Sequence, residues 1–341
     1  MKLSVKLLPF QLSKPFVSHK GVTAAEGRHV LLQIDYQQHQ GYGVAVPAKE
    51  YGTTVETLKK EADIAAVILE KFSNPFEVVN ILIQCHSLSS ATLSAVDMAL
   101  HDLIGKVVNL PLNRYFGLDS LLQPACSTSL GLMSDAETVE KVMQFQQKPI
   151  LKLKMSQPDE HRVKLIRQHY QGKLWIDGNG AWSVEQALQV VRNFIHYDIE
   201  LIEQPLAKGT YKELKKIKEA TNILIIADED CVSLTDVMRL HGYVDGVNIK
   251  LLKSGGLSNA KKMIETAKAL DMKVMLGCKV ESALGVTAMS HLAGLADFLD
   301  LDGHLDNIKD PFSGLKVTDG VIHIPDLPGI GCQIIGETKY V

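Results

Sequence analysis

The sequence has no cysteine framework: its five cysteines, Cys85, Cys126, Cys231, Cys278 and Cys332, are odd in number, scattered and without a C-x-x-C pair. That excludes a disulfide scaffold or a cysteine-held zinc as the organising feature. No apolar run approaches the ~18 residues of a membrane span, and residues 1–10 alternate apolar and polar instead of forming the continuous core of a signal peptide. A net charge of only -3 removes the excess of one sign that marks a nucleic-acid or membrane partner. The expectation is a cytoplasmic protein with a small-molecule ligand and with neither a nucleic-acid nor a membrane partner. Monomer and homo-oligomer both stay open.

What is present is enough apolar residue, 46% of 341, for a large core. That length fits a barrel of about 250 residues plus a smaller module. Residues 3–7, 29–36 and 41–46 read as a β-meander, with an aperiodic polar loop at 14–27 between the first two runs. Residues 53–106 read as helices, the first capped by Thr53 or Thr54. Asp97, His101 and Asp102 sit inside a helix that looks buried, where a structural hydrogen-bond network is the expected role. From Cys126 onward the pattern changes: short apolar runs alternate with helical stretches at 137–146, 161–170, 184–195, 212–220, 259–269 and 283–295, the mark of a parallel α/β sheet. The expected division is an α+β module over 1–117, completed by 311–341, and a (β/α) barrel over 118–310. Residues 317–324 read as a strand returning to the first module.

The runs 150–154, 174–177, 199–203, 223–228 and 244–250 each close on one ionisable residue: Lys154, Asp177, Glu203, Asp228 and Lys250. From Lys152 the steps to Asp177, Glu203, Asp228 and Lys250 are 25, 26, 25 and 22 residues. Each step is one βα unit long, and parallel barrel strands all end on one face, so these charges meet around one pocket. Three carboxylates sharing a site of low dielectric call for a divalent cation, and a set of hard oxygen ligands without nearby His or Cys points to Mg²⁺. Lys152 and Lys154, two apart on a strand, point the same way, and Lys250 lies across the pocket. Clustered cations, the metal and burial are expected to depress a lysine pKa toward neutrality. A base on either side of a metal-bound carboxylate suits removal of the proton α to that carboxylate through an enediolate: return on the opposite face by the second base inverts the centre, and with one base acting alone β-elimination or cycloisomerisation fits equally.

The motifs Ala95-Val96-Asp97-Met98-Ala99-Leu100-His101-Asp102, Lys152-x-Lys154, Asp177-Gly178-Asn179-Gly180, Glu203-Gln204-Pro205, Ala227-Asp228-Glu229 and Asn248-Ile249-Lys250 with Lys253-Ser254-Gly255-Gly256 occur in this order. In that order the chain resembles the enolase superfamily, muconate-lactonising subgroup, over nearly its whole length. The resemblance implies a modified (β/α)7β barrel of TIM type with an α+β capping domain, one Mg²⁺ held by Asp177, Glu203 and Asp228, bases Lys154 and Lys250, and Lys152 as electrostatic helper. Asn179 and Glu229 would support the ligands from behind. Asp300-Leu301-Asp302 resembles the motif by which dipeptide epimerases hold a substrate ammonium, and two carboxylates on one strand face make such a site on physical grounds too. Thr128, Cys278 and Lys279 complete the expected substrate-binding set.

Two departures bear on specificity. Where Ala-Glu epimerases of this family carry an Arg in the first capping loop, the chain reads Ser18-His19-Lys20-Gly21-Val22-Thr23. At the seventh barrel strand the family's Gly-Cys-Met-x-Glu is Gly277-Cys278-Lys279-Val280-Glu281, which puts a cation near the mouth unless Glu281 pairs with it. The expected function is epimerisation of a dipeptide at the α-carbon of its C-terminal residue. The alternatives within the superfamily are an o-succinylbenzoate synthase or an N-acylamino acid racemase, neither of which binds an ammonium. A sugar-acid dehydratase would have a His base in place of Lys250, and an inactive binding barrel would have lost a lysine or a ligand.

Overall fold

The computed structural model of the chain describes residues 1–18, 21–23, 25–82, 87–118 and 122–335. Cys85 and the capping-loop residues His19 and Lys20 lie outside the described residues, so the expected change at the first capping loop has no structural account. The four other cysteines form no disulfide. Among the described residues no helix is long and apolar enough to cross a membrane.

The first strands are β1 (Lys2–Gln11), β2 (Phe16–Ser18), β3 (Gly21–Thr23), β4 (Glu26–Tyr36) and β5 (His39–Ala45), with β1, β4 and β5 forming an antiparallel sheet. The stretch read as a plain loop instead holds the hairpin β2–β3. Its strands are three residues each, too short for alternation to register in the sequence. Helices α1 (Val55–Leu69), α2 (Pro75–Leu82), α3 (Ser90–Val107) and α4 (Leu112–Tyr115) follow. Thr54 caps α1, accepting the Thr57 N–H. Leu58, Ala62, Ala65 and Leu69 of α1 pack with Val30, Leu32 and Ile34 of β4 in a cluster that Leu252, from the barrel part of the chain, also enters.

The second part alternates strand and helix: β6 (Thr128–Leu130), α5 (Asp135–Gln144), β7 (Ile150–Lys154), α6 (Glu160–Arg167), β8 (Lys173–Asp177), α7 (Val184–Asn193), β9 (Ile199–Glu203), α8 (Tyr211–Glu219), β10 (Leu224–Ala227), α9 (Leu234–Leu240), β11 (Gly246–Ile249), α10 (Leu251–Ser254), α11 (Leu257–Ala269), β12 (Lys273–Gly277), α12 (Ala283–Ser290) and β13 (Phe298–Asp300). Strands β6 to β13 form one eight-stranded parallel sheet in sequence order. A parallel bridge from Cys126 to Leu299 joins its first edge to its last, which closes the (β/α)7β barrel. Helix α9 is absent from the sequence expectation because seven residues give the 3.6 periodicity too few turns to show.

Alternation along the barrel strands produces two inward layers. Ile150, Trp175, Leu201, Ile226, Met275 and Phe298 form an apolar plug inside the barrel. Two residues further on, β7 carries Lys152, β8 Asp177, β9 Glu203 and β13 Asp300, while Asp228 follows β10 directly. The plug therefore seals one end, and the charged residues face the other.

The last strands are β14 (Phe312–Ser313), β15 (Lys316–Thr318), β16 (Val321–His323) and β17 (Gln333–Ile334). The expected single strand over 317–324 is a two-stranded hairpin, β15–β16, turning at Asp319-Gly320. Gly320 O accepts the Cys126 N–H at 2.7 Å and Lys148 pairs with Asp319 at 3.4 Å, so the hairpin sits on the barrel. Contacts with the first module lie on both sides of the hairpin: the Phe312 ring packs edge-on against Tyr42 with centroids 5.9 Å apart, and Ile330 N donates to Asp102 Oδ1 at 2.8 Å.

The polar residues of α3 are the network expected of them. Asp97 Oδ1 accepts from Ser258 Oγ at 2.5 Å and its Oδ2 from the Ser258 N–H at 3.2 Å, in the first turn of α11, while Asp102 also accepts from Tyr42 N and Lys106 Nζ. Gly256 makes this approach possible: at φ 115°, a Cβ there would lie 2.5 Å from Asp97 Oδ2. Helix α3 is thereby anchored to the barrel rim.

Candidate active site

The ends of β8 and β9 are tied together by backbone. Gly178 N donates to Glu203 O at 2.9 Å and Gly180 N to Gln204 O at 2.7 Å. A Cβ on Gly178 would stand 2.9 Å from Pro205 Cα, so the residue after Asp177 has to be glycine for Asp177 and Glu203 to come side by side. Asn179 takes φ 46°, a conformation Asn tolerates, with its N–H donating to Asp177 Oδ1 at 2.9 Å. Buried Gln204 holds the next strand end, its Oε1 accepting from the N–H groups of Asp228 and Asp230 while its Nε2 donates to Asp230 Oδ2. No role for Gln204 or Asp230 follows from the sequence motifs alone.

Lysines surround these carboxylates. The fully buried Lys152 Nζ lies 2.6 Å from Glu203 Oε2, 3.3 Å from Asp177 Oδ2 and 2.5 Å from Asp300 Oδ2. Lys154 Nζ lies 2.5 Å from Asp177 Oδ2, and Lys250 Nζ 2.8 Å from Asp228 Oδ2. Strands β7 and β11 stand four apart in an eight-stranded barrel, so Lys154 and Lys250 occupy opposite walls. Two further residues complete the cluster without having been singled out in the sequence. Lys253 Nζ contacts Asp228 Oδ1 at 2.5 Å, Asp228 O at 2.6 Å and Asn248 O at 3.0 Å. Asn248 Nδ2 donates to Glu203 Oε1 at 2.9 Å. Both belong to quoted motifs, and a buried amine three residues after Lys250 was the available signal.

Burial, reinforced by the charge of Asp177, pushes the Glu203 carboxyl up to about 7 against the pull of Lys152. Asp228 is held well below its ordinary value; burial opposes that, but Lys250 and Lys253 outweigh it. With lysines alone set against these carboxylates, Lys250 is raised; the shift toward neutrality expected from the sequence includes the metal's charge. Burial lowers it, yet the charges of Asp228 and Glu203 hold it well above the usual lysine range, with Glu229 adding to them. Lys152 behaves likewise among Asp300, Glu203 and Asp177. The carboxylate field exceeds the repulsion between amines.

The cavity above this floor is lined by Lys154, Lys250, Asn179, Asp228, Cys278, Lys279, Asp300 and Asp302 from the expected set, with Ser129 and Tyr51 in addition. Lys152, Asp177 and Glu203 are fully buried in the floor beneath it, and Thr128 does not line it either. Ser127 Oγ and Ser129 Oγ both reach Asp300 Oδ1, at 2.8 and 3.4 Å, so alternation along β6 turns Thr128 to the other face. Asp302 Oδ2 accepts the Ser129 N–H at 2.6 Å. Burial, reinforced by the Asp300 charge, pushes Asp302 up to about 6. Cys278 Sγ donates to Asp300 O at 3.2 Å and accepts from Gly303 N. Lys279 does not pair with the Glu281 side chain, whose Oε1 is occupied by the Lys279 N–H; its amine pairs with Glu50 in the loop after β5.

As placed, no three His, Cys, Asp or Glu side chains among the described residues form a metal-binding group, because lysine amines stand against the carboxylate oxygens. The donor chemistry nevertheless suits a hard cation. Asp177, Glu203 and Asp228 supply oxygen only, and the buried Asn179 Oδ1 beside them has no hydrogen-bond partner.

The family model described as enolase C-terminal domain-like matches residues 135–338. The chain belongs to the enolase superfamily. It is 34% identical over 347 aligned residues to a protein of Bacteroides thetaiotaomicron named L-Ala-D/L-Glu epimerase, covering 98% of this chain and 88% of that one. Among solved structures it superposes with a TM-score of 0.88 on the dipeptide epimerase of Cytophaga hutchinsonii in complex with Mg and D-Ala-L-Val, at 28% identity and covering 99% and 97% of the two chains. The dipeptide epimerase of Enterococcus faecalis with Mg and L-Leu-L-Tyr gives the same TM-score at 26% identity, covering 97% and 98%. The barrel and capping arrangement expected of the superfamily is thus the one observed.

Proposed function

We propose that this chain is an isomerase, a dipeptide epimerase that inverts the α-carbon of the C-terminal residue by two-base proton transfer. The observation that carries the reading is the position of Lys154 and Lys250 on opposite walls of the barrel, with Asp177, Glu203 and Asp228 on the strand ends between them. The relative named L-Ala-D/L-Glu epimerase supports an epimerase reading, as do the two dipeptide epimerase structures named above, which hold Mg and a dipeptide. In this reading residues 1–117, completed by 311–341 apart from the hairpin β15–β16 that sits on the barrel, form the capping module over a barrel of 118–310.

Asp177, Glu203 and Asp228 would hold Mg²⁺, with Asn179 and Glu229 behind them. Bound there, the ion would supply positive charge to the substrate carboxylate and would offset the carboxylate charge that raises Lys250. Lys154 and Lys250 each serve one face of the α-carbon: one amine removes the proton and the other delivers one. Lys152, pinned by three carboxylates, stays charged and acts as a fixed cation beneath the substrate carboxylate. Asp302, with Asp300 behind it, would receive the substrate ammonium. Strands β9 and β13 face each other across the barrel, so a dipeptide spans its mouth from carboxylate to ammonium.

One observation favours a second reading. Both Asp300 oxygens are already engaged, by Ser127 and by Lys152, which suits an N-acylamino acid racemase that has no ammonium to bind. Incubation with Mg²⁺ and a library of free and N-acetylated L,L-dipeptides in D₂O, followed by mass, tests both. Uptake of one deuterium by free dipeptides, at least about tenfold faster than by their acetylated forms, is the expected result, because a charge-assisted bond contributes about 1.5–3 kcal/mol. Equal rates would favour the racemase, and no uptake would end both readings.

A further inference from the structure

Lys279 stands where the rim of the barrel meets the first module. Gly303, the residue after Asp302, packs on the Lys279 carbonyl so closely that a Cβ there would lie 2.0 Å from it. The root of Lys279 therefore adjoins the Asp300/Asp302 end of β13. Its amine reaches the other way, to the Glu50 carboxylate, and lies 6.0 Å from the centroid of the Tyr51 ring. Lys279 and Tyr51 both line the cavity. The Lys279 and Glu50 side chains keep 27% and 36% of their surface exposed, so solvent screens this pair and exchanging it for another costs little. The stem of lysine is long enough for the amine to leave Glu50 and turn over the cavity without moving its root. A second lysine, Lys14, lines the same mouth.

We propose that Lys279 is a specificity-determining residue that selects dipeptides with a side-chain carboxylate on the N-terminal residue, exchanging Glu50 for the substrate. This rests on the epimerase reading above, and the placement follows from it. The substrate α-carboxylate goes to the Asp177, Glu203 and Asp228 side of the mouth and the ammonium to Asp302, so the N-terminal side chain emerges beside Lys279. A carboxylate there exchanges a screened pair at the rim for a charge-assisted bond inside the occupied cavity. Glu50 holds the amine in reserve and limits how strongly the preference is expressed.

The test is kcat/KM with Mg²⁺ for L-Glu-L-Ala, L-Ala-L-Glu and L-Ala-L-Ala in wild type, Lys279→Met and Glu50→Gln. Wild type is expected to favour L-Glu-L-Ala over L-Ala-L-Ala about tenfold, equivalent to about 1.4 kcal/mol. Lys279→Met should bring that ratio to about one, and Glu50→Gln should raise it above wild type, because the Glu50 carboxylate no longer competes with the substrate for the amine. If the pair only latches the two modules together, both variants change all three substrates by one common factor, and the proposal is overturned. A preference for L-Ala-L-Glu that Lys279→Met removes would overturn the assignment to the N-terminal residue. Turnover of none of the three would fail the epimerase reading itself and this inference with it.

Discussion

The interior of the barrel holds two layers built by the same strands. Trp175 and Asp177, Leu201 and Glu203, Ile226 and Asp228, and Phe298 and Asp300 are pairs two residues apart, with one member in an apolar plug and the other in a buried charge cluster. The plug follows the hydrophobic effect, its side chains meeting one another out of water. The charged layer works against it, since desolvating each ion costs more than an ordinary pair returns. A fold needs only the first layer. The second persists because four lysines and four carboxylates compensate one another, and that compensation is what a cation and a substrate carboxylate can replace. Holding opposed charges beside a solvent-reachable cavity is how this barrel prepares for chemistry, and the plug gives it a rigid base.

The largest expected effect lies in the charged layer. Lys154→Ala or Lys250→Ala should each lower epimerisation by at least about 10²–10⁴-fold, the range for loss of a general acid or base. Each variant should keep exchange of the α-proton with D₂O for only one substrate enantiomer, because one face retains its base. Epimerisation at the wild-type rate in either variant would remove the two-base mechanism.

Stability separates the layers next. Trp175→Ala, which empties the centre of the plug, should cost about 3–5 kcal/mol by urea unfolding, with or without Mg²⁺. Lys152→Met should cost a similar amount, about 3–5 kcal/mol in EDTA, for the opposite reason: it strips the shared cation from Asp177, Glu203 and Asp300. Mg²⁺ should recover part of the Lys152→Met loss and none of the Trp175→Ala loss. An equal response of the two variants to Mg²⁺ would erase the distinction between the layers.

A smaller effect tests burial without a partner charge. His291 accepts the Asn113 N–H at 3.0 Å on Nδ1 and contacts Ile330 O at 3.0 Å through Nε2, which fixes a neutral ring. Burial lowers its pKa from 6.5 to about 4. A base whose folded pKa is depressed contributes stability that is whole above pH 6.5 and is lost as pH falls toward 4, because the unfolded chain takes the proton first. The loss is about 3 kcal/mol at about 1.36 kcal/mol per unit. Glu281, raised to about 7 by burial, acts in the reverse sense, so the quantity to read is a difference between proteins. His291→Gln should fall less than wild type between pH 6.5 and 4.5, and parallel curves would refute the assignment.

At the far end of the same barrel, Lys273 pairs with Asp297 at 3.1 Å in the open. Lys273→Ala should cost no more than about 1 kcal/mol, the value of an exposed pair. A cost near that of Lys152→Met would mean that burial is not what distinguishes the two ends.

Much of this arrangement is legible in the sequence because it is local. Alternation over five residues and a recurrence near 25 place Lys154, Asp177, Glu203, Asp228 and Lys250 at strand ends, with Lys152 two residues inside its strand, and the shared direction of parallel strands brings them together at one end of the barrel. Periodicity is a property of neighbours along the chain, so it survives without coordinates. What only the tertiary structure decides are contacts between distant positions: Asp300 taken up by Lys152, Lys253 reaching Asp228, Lys279 drawn to Glu50, and the turn of Ser129 rather than Thr128 toward the cavity. The direction of the Lys250 shift belongs with them. Its sign depends on how many carboxylates stand within a few ångströms, and that number is set by the closure of the barrel.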